Sequence, residues 1–89
     1  GGVWLWDTQS GQRLGVLEDS VGMIERLAWS ADGTLLAGAF REGVVRLWDG
    51  LTGRSRGVLE DVPRHVLSLA CSPDGRHLAV GSYGNEVII

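Results

Sequence analysis

Apolar residues fall in short clusters along this chain, each cluster about 5–7 residues long and closed by a polar turn. Ile24, Leu27 and Trp29 form one cluster, Leu35-Leu36-Ala37 the next, and Val44-Val45-Arg46-Leu47-Trp48 a third. Between them lie Ala31-Asp32-Gly33 and, further on, Pro73-Asp74-Gly75. Asp can bond its own backbone and Gly can take a positive φ, so both triplets predict tight turns. Asp7-Thr8-Gln9-Ser10-Gly11 and Asp49-Gly50-Leu51-Thr52-Gly53 predict a second kind of turn. No segment carries a helical stripe, so the pattern predicts an all-β chain.

The pattern also repeats, with a period of about 42 residues. Gly1–Asp7 lies over Gly43–Asp49, and Gly15-Val16-Leu17-Glu18-Asp19 recurs unchanged as Gly57-Val58-Leu59-Glu60-Asp61. Leu27–Gly33 lies over Leu69–Gly75. Each copy is therefore one structural unit used twice.

Two Trp-Asp pairs, Trp6-Asp7 and Trp48-Asp49, stand at this period, each followed by a Gly-closed turn. With the Ser-Xaa-Asp-Gly turns at Ser30–Gly33 and Ser72–Gly75, these residues resemble the WD40 repeat over the whole chain. The resemblance implies β-propeller blades, each a four-stranded antiparallel sheet, in a partial propeller. Carried onto this chain, it places residues 1–22 as the outer strands (Val3–Asp7, Gln12–Leu17) of a preceding blade. Residues 23–60 become one complete blade, with strands Met23–Ser30, Thr34–Phe40, Val44–Asp49 and Arg54–Glu60. Residues 61–89 supply the inner strands (His65–Ser72, Arg76–Ser82) of a following blade, and Glu86–Ile89 begins its third. Structural roles fall on Trp6, Asp7, Trp48, Asp49, Asp32, Gly33, Asp74 and Gly75.

The chain departs from the family's hydrogen-bonded tetrad of His, Ser or Thr, Asp and Trp. The Gly-His position reads Asp19-Ser20 and Asp61-Val62. The Ser/Thr position reads Phe40 and Ser82, and the Asp position Glu42 and Gly84. The tetrad cannot form in the complete blade, and Trp48 needs other company there.

Composition narrows the function. Hydrophobic residues make up 44%, as in a folded domain, and the net charge of −3 comes with no basic run, which argues against nucleic acid as partner. No apolar run is long enough to span a membrane as a helix. All eight basic residues are arginine. The single cysteine excludes an intrachain disulfide; with the lack of targeting signals it points to an intracellular, cytoplasmic protein. The opening Gly1-Gly2-Val3-Trp4 has neither initiator Met nor signal pattern, so a piece of a longer propeller is expected. The alternative is a set of copies joined head to tail into a ring, in which Asn85–Ile89 would duplicate the register of Gly1–Leu5.

Catalytic, cofactor and metal sites are not expected. His65, His77 and Cys71 fit no zinc spacing. Cys71 stands where the other copy has Trp29 and is expected to be a small buried residue. Ser72 and Asp74 belong to a turn, so with His77 they make no triad. Adjacent carboxylates at Glu18-Asp19 and Glu60-Asp61 point apart on a strand end. Binding remains. In the family, the loops at one end of the blades meet partner peptides; here they carry Glu18, Asp19, Glu60 and Asp61, with Arg41, Arg64, Tyr83 and the aromatic Phe40 nearby. The expected role is a non-catalytic interaction scaffold for a protein or peptide, completed by further blades or further copies. A purely structural segment, or part of an enzyme with a site at the central channel around Glu25, Arg26 and His65, are the alternatives.

Overall fold

A computed structural model of the chain describes residues 2–17, 20, 22–62, 65–82 and 87–88, the last two by backbone alone. Nine strands are described: β1 (Trp4–Trp6), β2 (Arg13–Val16), β3 (Ile24–Trp29), β4 (Leu35–Phe40), β5 (Val44–Asp49), β6 (Ser55–Leu59), β7 (Val66–Cys71), β8 (Leu78–Ser82) and β9 (Val87–Ile88). There is no helix among the described residues. The strands form three antiparallel sheets, β1-β2, β3-β4-β5-β6 and β7-β8-β9, with neighbours in chain order. Each expected segment holds a strand; Val44–Asp49 keeps its expected bounds and the others are shorter by a residue or two at one or both ends. Arg76 and His77, expected in the strand, precede it: β8 begins at Leu78, and the His77 N–H donates to Ser72 Oγ at 3.0 Å.

The middle sheet is the core because both its faces are covered. All six residues of β4 are buried, and alternate side chains go to opposite faces. Leu36 and Phe40 join Trp48 on one face and pack against Val3 and Leu17 of the first sheet. Ala37 and Ala39 join Val45 on the other and pack against Val66 and Val80 of the third. A strand buried on both faces reads as a continuous apolar run, which is why Leu35–Phe40 shows no polar alternation. Gly38 makes room for this packing. A Cβ built on it would stand 2.9 Å from Trp48 Cζ3 and 3.1 Å from Leu27 Cδ2, so the indole lies flat across a position without a side chain.

Phe40, expected among the rim's aromatic anchors, is fully buried instead. It occupies the position where the family has a hydroxyl and tilts against Trp48, ring centroids 6.3 Å apart at 56°. Arg46 lies across the other ring, its guanidinium carbon 5.8 Å from the Phe40 centroid. An aromatic pair thus replaces the polar tetrad in this sheet, contributing about 0.5–1.5 kcal/mol beyond area burial. Cys71 is half-buried rather than buried, at the margin of the second cluster. Its equivalent Trp29 is half exposed; among the described residues the first sheet has only β1 and β2, with no strand on the inner side of β1 to cover it.

The turns repeat bond for bond. Asp7 Oδ1 accepts the N–H groups of Gln9 (2.8 Å) and Ser10 (3.0 Å), as Asp49 Oδ1 accepts those of Leu51 (2.8 Å) and Thr52 (3.0 Å). The acid of each Trp-Asp pair is therefore a turn organiser. Asp32 Oδ1 takes three donors: Ser30 Oγ at 2.7 Å, Thr34 Oγ1 at 2.8 Å and Thr34 N–H at 3.0 Å. Asp74 Oδ1 takes two, Ser72 Oγ at 2.5 Å and the Arg76 N–H at 3.0 Å, since Arg76 has no hydroxyl in place of that of Thr34. Gly33 and Gly75 close these turns at φ 76° and 73°, where a side chain would be strained.

Candidate rim site between the innermost strands

The acids of the turns are spent. Hydrogen bonds to the charged form lower a carboxyl pKa. The backbone N–H of Thr34, then the hydroxyls of Ser30 and Thr34, hold Asp32 at about 2. The Ser72 hydroxyl and the Arg76 N–H lower Asp74, the Ser10 and Gln9 N–H groups lower Asp7, and those of Leu51 and Thr52 lower Asp49. Each stays a carboxylate locked to its own turn, which leaves none of them poised as an acid or base. Burial pushes the Cys71 thiol up, away from the thiolate a nucleophile needs. No three His, Cys, Asp or Glu side chains gather among the described residues as a metal would require.

The site of interest lies at the loop end, where β3 and β7 run side by side. A concavity of about 400 Å³ opens there, lined by Met23, Glu25, Arg26, Arg41, His65 and Leu67 among others. Two β-bulges build it. Pairing slips between Ile24 and Arg26 in β3, and between Val66 and Ser68 in β7, at positions one repeat apart. A bulge leaves one residue out of the ladder and re-aims its neighbours. Arg26 collects the result. Its Nη1 donates to the Glu25 carbonyl at 2.7 Å and its Nε to the Leu67 carbonyl at 2.8 Å, stapling one sheet to the next. Glu25, with 19% of its side chain exposed, faces Arg41 Nε at 3.9 Å; Arg41 is 59% exposed. Its Oε1 is buried without a partner. His65 enters β7 with φ at 60°, an uncommon backbone state for a residue other than glycine.

Of the predicted rim residues, Arg41, Glu60 and Asp61 are described, and all three are exposed. Arg41 alone lines the concavity. Asp61 turns the β6–β7 loop at φ 57°, and the next N–H, that of Val62, donates to the Gly43 carbonyl at 3.1 Å, tying that loop to the β4–β5 turn. Glu18, Asp19, Arg64 and Tyr83 lie outside the described residues. Ser20, standing in place of the family's His, is buried and bridges the first sheet: Val3 N–H donates to its Oγ at 3.0 Å, and that hydroxyl donates to the Leu17 carbonyl at 2.8 Å.

The family model described as WD domain, G-beta repeat, matches residues 11–49 and 56–89. The chain belongs to the WD40 repeat family. Its three sheets are WD40 propeller blades in whole or part, with β3-β4-β5-β6 as a four-stranded one. No curated protein matches the chain. Among solved structures, a chain of hydrazine synthase from Kuenenia stuttgartiensis is similar over 93% of this chain, with a TM-score of 0.79 and 23% identity. The WD40 chain spans 23% of that protein's chain, and the likeness is one of fold.

Proposed function

We propose that this WD40 chain is a non-catalytic scaffold that presents its loop end to a protein or peptide partner. The concavity between β3 and β7 carries the proposal, since it combines apolar walls with a few convergent polar groups, as binding sites do. Two of the polar groups at the central channel already have neighbours that hold them. Arg26 is bonded to two backbone carbonyls, and Glu25 faces Arg41.

Further repeats or further copies complete the ring in this proposal. Trp4, Trp6, Leu14 and Val16 are each more than half exposed on the face of β1-β2 that, one repeat later, holds the fully buried Trp48. An apolar face of this kind is one that another sheet covers.

The scaffold proposal is tested by affinity capture followed by mass spectrometry. Wild type is compared with the triple variant Arg41→Glu, Glu60→Lys, Asp61→Lys. Proteins captured by wild type and lost by a variant with an unchanged circular dichroism spectrum are expected. The same set captured by both proteins overturns the loop end as the binding surface.

A further inference from the structure

We propose that the concavity between β3 and β7 takes the carboxylate of an acidic peptide, gripped by Arg41 and by the outer nitrogen of Arg26. The proposal rests on the scaffold function above and adds the chemistry of the partner.

The first support is a contrast between repeats. Residues that serve the fold recur one repeat later: Asp7 as Asp49, Asp32 as Asp74, Ser30 as Ser72, Gly33 as Gly75. The two bulges also recur. The charged residues of the concavity do not. Glu25 becomes Leu67, Arg26 becomes Ser68, and Arg41 becomes Tyr83. The β7 strand forms in its own sheet with other residues at these positions, so the blade pattern does not by itself require them.

The second support is the balance of donors and acceptors. A guanidinium carries five N–H donors and no acceptor. The two backbone carbonyls engage Nε and Nη1 of Arg26 and fix the plane of its guanidinium, so its remaining donors are held in place without further loss of side-chain freedom. Arg41 meets Glu25 at 3.9 Å, too long for a hydrogen bond. Two arginines and His65 thus face one carboxylate. The outer donors of Arg26 and the exposed guanidinium of Arg41 are the groups an anion would engage, while the buried Glu25 Oε1 still lacks a donor. Two N–H groups from a planar fork match a carboxylate in the bidentate manner.

The third support is size and wall chemistry. About 400 Å³ accepts one or two side chains and not a folded surface. Met23 (60% exposed) and Leu67 (50% exposed) supply apolar walls for the stem of an acidic side chain. Glu25 then sets the threshold of binding. It competes with the incoming acid for Arg41, so it disfavours weak anions and selects for a ligand whose chain adds contacts.

The test uses two fluorescein-labelled peptides of eight residues, one alternating Asp and Gly, the other Asn and Gly, read by fluorescence anisotropy at low and moderate salt. The acidic probe is expected to bind and the Asn probe to fail, with binding weakening as salt rises. Arg41→Gln is expected to weaken the acidic probe about tenfold. Glu25→Gln is expected to tighten it several-fold, because a competing charge is gone. A residue that only supported the fold would move both variants in the same direction. The proposal is overturned if the acidic probe does not bind wild type, if the Asn probe binds equally, or if both variants weaken binding. It is overturned equally if a single-stranded oligonucleotide binds better than the acidic probe. If the acidic probe fails while wild type still captures a partner that the rim variant loses, the carboxylate chemistry falls and the scaffold stands. If capture fails as well, both fall.

Discussion

Trp48 and Trp6 occupy the same place in successive repeats, yet one is fully buried and the other 58% exposed. Truncating each to alanine separates position in the repeat from burial in the stack. A tryptophan side chain buries up to about 250 Å². At about 25 cal/mol per Å² that is about 6 kcal/mol as an upper bound, and mutational experience puts Trp→Ala in cores at about 3–5 kcal/mol. Trp48 also meets Phe40 and fills the space over Gly38, so its truncation leaves a void there. For Trp6 less than half of that area is lost to water, which leaves about 1–2 kcal/mol. A chain of this length has about 4–13 kcal/mol of total stability, so Trp48→Ala removes a large share of it. Urea unfolding followed by far-UV circular dichroism reads both variants without relying on the tryptophan signal. Trp48→Phe keeps an aromatic neighbour for Phe40 and gives a smaller, measurable loss if Trp48→Ala does not fold at all. Equal losses at Trp6 and Trp48, or a greater loss at Trp6, refute the packing argument.

Other outcomes follow from the same geometry. Gly38→Ala pushes a methyl into the Trp48 ring and is expected to cost about 1–3 kcal/mol and to alter the near-UV circular dichroism of the indole. Gly33→Ala, at φ 76°, is expected to lower the free energy of urea unfolding by about 1–2 kcal/mol, while space around it is open, so the loss measures backbone conformation alone. Acid weakens the turns. Asp32 has its pKa lowered from 3.8 to about 2, so its contribution is full above about pH 4 and is lost as pH falls through 2. Urea midpoints measured from pH 6 down to pH 2 are expected to fall most steeply in that window, and Asp32→Asn is expected to flatten part of the fall. Arg26→Met removes the staple between Glu25 and Leu67 and is expected to raise amide hydrogen exchange in β7 selectively, with the third sheet still formed.

The strands and turns were legible because their signals are local. Asp32-Gly33 and Asp74-Gly75 write the turn into adjacent residues, and Val44–Asp49 begins and ends where its apolar run does. The repeat multiplied that signal by two. What lay beyond reading was set by contact between distant segments. Phe40 looked like a rim anchor from its place at the end of a strand, but the Trp48 ring sits over Gly38, two residues earlier on the same face, and draws it inward. The rim concavity depends on two bulges, and a bulge leaves no mark in composition. Ser20 was noted merely as a missing histidine, because its two bonds reach Val3 and Leu17 across a loop.

The small side chains at Ala37 and Ala39 have a consequence for the shape of the whole assembly. On the face toward the third sheet they sit in the second strand from the inside, whereas Val45 and Leu47 stand further out. Strands β3 and β4 come close to β7, but β5 and β6 do not approach the third sheet's backbone. The sheets therefore open like the pages of a fanned book, hinged at the inner edge. The opening between these two sheets follows the difference in side-chain bulk between the inner residues, Ala37 and Ala39, and the outer ones, Val45 and Leu47. Enlarging Ala37 and Ala39, or trimming Val45 and Leu47, would bring the second and third sheets closer to parallel.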